Sequence, residues 1–469
     1  MDRRQFLKTS SVLAAGCALN APLIGENLTT SPAQTFKLDI RPVAVELAPG
    51  HVVHTIGYNG HAPGPLLRMR EGVPVQVDVT NFTANGDLVH WHGLHIPSHM
   101  DGASEEGSPI ISPGSSFRYS FTPSPSGSRW YHTHIRAGRD LAKGTYTGQY
   151  GFLYIDPKHE PGNYDQEIFL AVHHWEPSFT KMQETWRNCP EISYQYASLN
   201  DKLLGAGEPL RVKEGQRVLF HFLNASATEN VLLSLPRHKF TVVALDGNPV
   251  PHPAAVEVLS LAVAERVDAY VDMTQPGTWV LGSTSHLERE KGLGVVVEYA
   301  NQTGKAQWES PKSINWHDGH WQFGDWRYGL FSDQAPMPPE PAKLVTMLFE
   351  KKAAPGKHKD NAMGMDTWTI NGKSFPDVPS LHVSEGERYR LRFVNATACA
   401  HPIHVHRHSF ELKRVAEVPM AGILKDTVML PAYGVVDVDL VANQPGPTLF
   451  HCHQQLHMDF GFMQLIEYA

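Results

Sequence analysis

LRMREGVPVQVDVTNFT runs from Leu67 to Thr83, LRVKEGQRVLFHFLNAS from Leu210 to Ser226, and LHVSEGERYRLRFVNAT from Leu381 to Thr397. The three stretches are copies of one another. In each, a Glu-Gly pair precedes an Asn by the same interval: Gly72 to Asn81, Gly215 to Asn224, Gly386 to Asn395. Between them, apolar side chains rich in Val, Phe and Leu recur with period two. Successive side chains of a strand point to opposite faces, so this period reads as a β-strand. The glycine marks the turn that leads into it.

A second block recurs in the same order. Gly127 leads to SRWYHTH, Gly277 to TWVLGST and Gly446 to PTLFHCH. Each glycine stands five residues before a matched position: His132, Gly282 and His451. Paired blocks of this kind predict three homologous all-β domains, 36–157, 160–300 and 343–469. Each is the right size for a Greek-key sandwich of about eight strands. Residues 301–342 hold Trp316, Trp321 and Trp326 and a proline run at 336–341, and read as a long inter-domain connection.

The bulk composition agrees. A chain of 469 residues is long enough for about two to four domains. Hydrophobic residues make up 41% and charged residues only 19%, which excludes a largely disordered chain. A net charge of -8 argues against nucleic acid as the partner. The 38 Gly and 35 Pro suit many short strands and turns. The four cysteines, Cys17, Cys189, Cys399 and Cys452, are too few for a disulfide scaffold. Cys189 and Cys399 are a candidate pair that the sequence does not decide.

The N-terminus is an address. Arg3-Arg4-Gln5-Phe6-Leu7-Lys8 followed by an apolar stretch from Ser11 to Leu19 resembles a twin-arginine export signal. The stretch is too short to span a bilayer. Residues 1–30 are therefore read as the signal, the twin-arginine translocase as a partner, and the destination as periplasmic or secreted. Cleavage near Ala21 and lipid anchoring at Cys17, after Leu13-Ala14-Ala15-Gly16, are alternatives.

Histidine is the outlier, with 27 residues. Neutral imidazole is the commonest metal ligand. Four clusters lie in the repeats: His90-Trp91-His92, His132-Thr133-His134, His401-Pro402-Ile403-His404-Val405-His406, and His451-Cys452-His453 with His457. In a strand, residues i and i+2 share a face, so each His-x-His pair presents two imidazoles side by side. The middle domain has Gly282 and Thr284 at the matched positions, so it copies the strands without the ligands. That places a metal site between the first and third domains. Cys452 lies between two of these histidines and faces the other way. A thiolate with two imidazoles is the blue-copper set, and Cys452, His457 and His401 supply it. Ten histidines to one cysteine fit no closed zinc site.

HWHG, YHTH, HPIHVH and HCHQQLH together resemble the multicopper oxidases, the family of laccases, ascorbate oxidase and bacterial cuprous oxidases. The resemblance covers about 36–469. It implies three consecutive cupredoxin-like Greek-key β-sandwich domains and four copper ions: one type 1, one type 2 and two type 3. It implies type 1 ligands His401, Cys452 and His457, and type 2 ligands His90 and His404. His92, His132 and His453 would hold one type 3 copper, and His134, His406 and His451 the other. A small aromatic or metal-ion donor would give electrons singly near His457 or His401. They would pass through Cys452 to His451 or His453, and dioxygen would become water. Asp101, nine residues past His92, matches an acid of related enzymes and is the expected proton donor.

Three departures from the family pattern stand out. Met458, followed by Asp459, replaces a common Glu after the last type 1 histidine. The axial position is Phe462, expected to be non-ligating and to raise the copper potential; a one-residue slip would make Met463 the ligand. Arg407 replaces a common glycine. Of the possible donors, phenols and other aromatics are favoured over cuprous ion. Cuprous oxidases tend to be Met-rich, whereas this chain has 13 Met and one small cluster, Met363-Gly364-Met365 near His358. A non-enzymatic relative that has lost its coppers is set aside by the complete ligand set.

Overall fold

A computed structural model describes residues 33–158, 162–180, 192–312, 328–333, 343–352 and 365–469. The export signal, Cys17, Cys189, Trp316, Trp321, Trp326, the 336–341 prolines, His358 and Met363 lie outside the described residues. Residues 33–469 form one compact unit. Among the described residues, no helix is long and apolar enough to cross a membrane.

The repeated strand sits inside a sheet of each domain. It is Val75–Asn81, Arg217–Asn224 and Arg388–Asn395 in turn. Each copy pairs in parallel with the strand that opens its domain and antiparallel with another. Gly72, Gly215 and Gly386 take φ of +77°, +84° and +81°, a region that L side chains rarely adopt. The closing asparagines do the same work three times. Asn81 Oδ1 accepts from Thr83 N, Asn224 Oδ1 from Ser226 N, and Asn395 Oδ1 from Thr397 N. Their Nδ2 groups donate to carbonyls of two further segments, Asn85 and Ile111, Glu229 and Leu261, Cys399 and Pro431. Each buried amide thus stitches a strand end to the loops around it, which is why the residue recurs.

The first domain has two four-stranded sheets, as expected for an eight-strand sandwich. The other two are larger. The middle domain has sheets of six and five strands, and the third has sheets of seven and five. The extension in the middle domain comes from Phe240–Leu245 and Asn248–Val256, added beyond Arg266–Asp272 in one sheet, and from Val258–Leu261 in the other. Of the connecting segment, Tyr328 and Phe331 are buried in the core shared by the second and third domains. Cys399 is disulfide-bonded, and its partner lies outside the described residues.

The second repeated block brings the histidines together. Val89–His92 pairs with Gly127–Thr133 and places His90 opposite His132. His401–Val405 pairs with Thr448–Cys452 and places His404 opposite His451. Arg407 has a role invisible in the sequence. Its buried guanidinium donates to the carbonyls of Ile96, Gln444, Pro445, Gly446 and Pro447 and to Thr448 Oγ1. It therefore ties the turn that precedes His451 to the first domain.

Candidate metal centre

Two sets of ligand-type atoms lie on opposite sides of the strand Thr448–Cys452. On one side, His401 Nδ1 and His457 Nδ1 are 3.2 Å apart. Cys452 Sγ stands 3.7 Å and 3.5 Å from them. All three residues are buried. The five-residue helix Gln455–Asp459 supplies His457. The Trp368 indole lies against the His457 ring, with centroids 3.9 Å apart. Thr397 Oγ1 is 2.9 Å from His401 Nε2 and fixes the other face of that ring. Burial lowers the basicity of His401 to a pKa of about 3 and pushes the Cys452 thiol up. Two imidazoles with free lone pairs and a buried thiol that would give up its proton to a metal are a donor set that suits a copper ion.

Phe462 is on this side. Its ring is 5.0 Å from that of His401, and its carbonyl accepts from Cys452 N. Met463 pairs with His451 in the sheet but packs with Ala103, Leu449 and Met458 on the other side. Phe462 thus lies on the Cys452 side and Met463 on the other.

On the opposite side, eight buried histidines converge: His90, His92, His132 and His134 from the first domain, His404, His406, His451 and His453 from the third. His451 Nε2 is 3.0 Å from His406 Nε2 and 3.4 Å from His134 Nε2. The rings of His92, His132 and His453 lie 5.1 to 5.7 Å apart. Those of His90 and His404 are 5.9 Å apart. His90 Nε2, His92 Nδ1, His132 Nε2, His404 Nε2 and both His453 nitrogens are buried without a hydrogen-bond partner. Buried polar atoms are normally satisfied, so orphaned nitrogens gathered in several close groups fit bound metal. Burial lowers every one of these rings below the usual histidine range, His90 to about 4 and His451 to about 3, so their lone pairs are free.

The outer nitrogens are held from behind, the usual arrangement for ligating imidazoles. His90 Nδ1 donates to Asp101 O, His404 Nδ1 to Asp426 O, His132 Nδ1 to Thr133 O and His451 Nδ1 to Cys452 O. His406 Nδ1 donates to Asp101 Oδ2 at 2.8 Å. His92 Nε2 donates to Asp426 Oδ1 at 3.0 Å. Asp101 thus sits behind the cluster, in contact with the outer edges of His406 and His90.

Three participants were not foreseen. Glu106 is buried beside Asp101; burial, then the charge of Asp101, raises it. Its Oε1 accepts from Leu449 N at 2.5 Å and lies 3.5 Å from His406 Nδ1. Asp426 backs His92. Burial opposes its charge, but Arg266 outweighs burial and holds it well below the usual carboxylate range. Trp368 covers His457. Only Asp426 left a trace in the sequence, as the charged pair Lys425-Asp426 at the head of the apolar run Thr427 to Leu430.

Cupredoxin-like sandwiches that place a Cys–His–His set one residue from an eight-histidine cluster define a copper-dependent oxidoreductase. Sequence models of the multicopper oxidase family match residues 39–160, 192–302 and 338–468. The chain is 28% identical to multicopper oxidase MmcO of Mycobacterium tuberculosis, over 92% of this chain and 87% of that protein. It is 27% identical to bilirubin oxidase of Albifimbria verrucaria, over 91% of this chain and 75% of that one. The crystal structure of a multicopper oxidase from Pseudomonas thermotolerans superposes with a TM-score of 0.71 at 26% identity, over 93% of this chain and 99% of that one. The chain belongs to the multicopper oxidase family, with copper as its cofactor and dioxygen as its electron acceptor.

Proposed function

We propose that this protein is a laccase-like oxidase that takes single electrons from phenolic or other aromatic donors and reduces dioxygen to water with four coppers. One observation carries the four-copper reading: Cys452 faces His401 and His457, while its chain neighbours His451 and His453 face the eight-histidine cluster. In this reading the type 1 ligands are His401, Cys452 and His457, and the type 2 ligands are His90 and His404. The type 3 ligands are His92, His132 and His453 for one ion and His134, His406 and His451 for the other. The bound coppers supply one-electron redox chemistry and the site of dioxygen reduction. The protein's part is geometric. The Cys452 main chain is a direct bonded link between the two sites. Phe462 has no donor atom to add to His401, Cys452 and His457, and a copper held by those three alone would have a high potential. Asp101 is the proton donor: burial raises its carboxyl well above the usual carboxylate range, and Oδ2 reaches the edge of His406.

The aromatic donor is favoured by what surrounds His457. Its ring lies against Trp368, and its chain neighbours Leu456 and Phe460 belong to an apolar, aromatic cluster. A cuprous-ion oxidase is the second reading; Met365 packs among the same residues and offers a thioether. Oxygen uptake with phenolic donors and with Cu(I) separates the two. Fast uptake with phenols supports the first; uptake with Cu(I) alone overturns it. Export through the twin-arginine translocase to the periplasm or outside, from Arg3-Arg4, belongs to the same proposal. Retention in the cytoplasm of an Arg3→Lys/Arg4→Lys variant, but not of the parent, tests it.

A further inference from the structure

The middle domain offers no histidine to the cluster among the described residues, yet its Arg266 reaches into the cluster's wall. Arg266, at the head of the strand Arg266–Asp272, is fully buried. Its Nη1 donates to Asp426 Oδ1 at 2.8 Å and its Nη2 to Asp426 Oδ2 at 2.5 Å, a two-pronged contact with the third domain. The remaining N–H groups donate to Ala264 O, Asp246 O and, in the first domain, Ser128 O. The guanidinium therefore touches all three domains and has no freedom to turn.

Asp426 Oδ1 is also the acceptor for His92 Nε2. A hydrogen on Nε2 leaves Nδ1 as the lone-pair nitrogen, and His92 Nδ1 is the buried, unpartnered atom that faces the cluster. His90, His132 and His404 are arranged the other way, with Nδ1 bonded outward and Nε2 free. The carboxylate inverts His92; Arg266 holds that carboxylate by two prongs, and Thr427 Oγ1 adds one hydrogen bond to Oδ1. Gly93 gives an independent sign of how closely the pair is seated. A Cβ there would lie 2.7 Å from Asp426 Oδ2 and 2.8 Å from Arg266 Nη2, and φ is +86°. The glycine of the HWHG motif is the space the ion pair occupies.

We propose that Arg266 is a positioning residue for the metal centre, through which the middle domain sets the orientation of His92 by holding Asp426. The inference rests on His92 being a copper ligand. The test uses full-length, copper-loaded protein: wild type, Arg266→Gln, Arg266→Lys, and the double variant Arg266→Met/Asp426→Leu. The double variant replaces a buried ion pair by apolar groups, a change often neutral for folding. Copper content, the blue type 1 absorption, the near-ultraviolet type 3 absorption and the melting temperature are read together. Wild type lacking the type 3 signature would sink the ligand reading itself. With wild type normal, the Gln and double variants keep the blue band but lose the type 3 signature, with copper affinity of the cluster falling about 10- to 100-fold. Lys, which retains the charge and one contact, restores part of it. A folded Gln or double variant with full copper and a wild-type type 3 signature overturns the proposal. So does a Lys variant no better than Gln. If Gln fails to fold, the double and Lys variants decide.

Discussion

His221 is held between two carboxylates of the middle domain at the seam with the first, and its removal has an effect whose sign and size follow from the structure. The ring is buried on the strand Arg217–Asn224. Nδ1 is 2.8 Å from Asp268 Oδ1, and Nε2 is 3.2 Å from Glu167 Oε1. From the first domain, Ser128 Oγ donates to the same Asp268 oxygen, Tyr154 meets the ring edge-on, and Arg68 binds Glu167 from the far side. Burial alone would lower the imidazole's pKa, but Asp268 and Glu167 outweigh it and raise it from 6.5 to about 9. A folded pKa above the unfolded one gives stability that is complete below about pH 6.5 and lost as pH rises through about 9. That gap corresponds to on the order of 3 kcal/mol. The assay is denaturant unfolding of wild type and His221→Gln from about pH 6 to pH 10, following the first transition, since a multidomain chain need not unfold in one step. The stability gap between them should be larger at the acid end by about that amount. A gap that is constant, or that widens with alkali, would refute the reasoning.

Other perturbations have equally definite outcomes. Arg407→Met strips donors from five carbonyls and a hydroxyl, and should cost on the order of 3 kcal/mol in thermal or denaturant unfolding; a loss below about 1 kcal/mol contradicts the stapling role. Asn224→Ala removes an amide that satisfies two carbonyls and one N–H, and should destabilise by about 1–3 kcal/mol without altering copper content in metal analysis. Phe462→Met brings a thioether to the Cys452 side and should lower the type 1 potential in a redox titration; an unchanged potential would place the axial position elsewhere.

What could be read from the sequence was what repeats or what sits at short range. The Gly-to-Asn interval located three strands because both residues have local backbone tasks, at Gly72 and Asn81 and their copies. The alternation at 451–453 separated Cys452 from its neighbours because pleat parity is a local property. The extra strands of the second and third domains escaped because they lie between the two repeated blocks, where the first domain has loop and short 3-10 turns from Gly93 to Ser115. Glu106 escaped because it belongs to a polar loop and meets Leu449 from a distant part of the chain. Arg266 and Asp426 are 160 residues apart. Charged pairs of that separation leave no periodic mark, only the oddity of a charge entering an apolar strand. Arg407 looked like an unexplained departure because its partners are main-chain carbonyls, which no sequence displays.

The account stands most directly on Cys452 as the ligand of one copper and the link to the rest. Cys452→Ser protein, loaded with copper and compared with wild type by metal analysis and visible absorption, tests this. The blue band should vanish and one copper per chain should be lost, while the type 3 absorption of the histidine cluster persists. A variant that keeps its blue colour, or that keeps the full copper content of wild type, would contradict it.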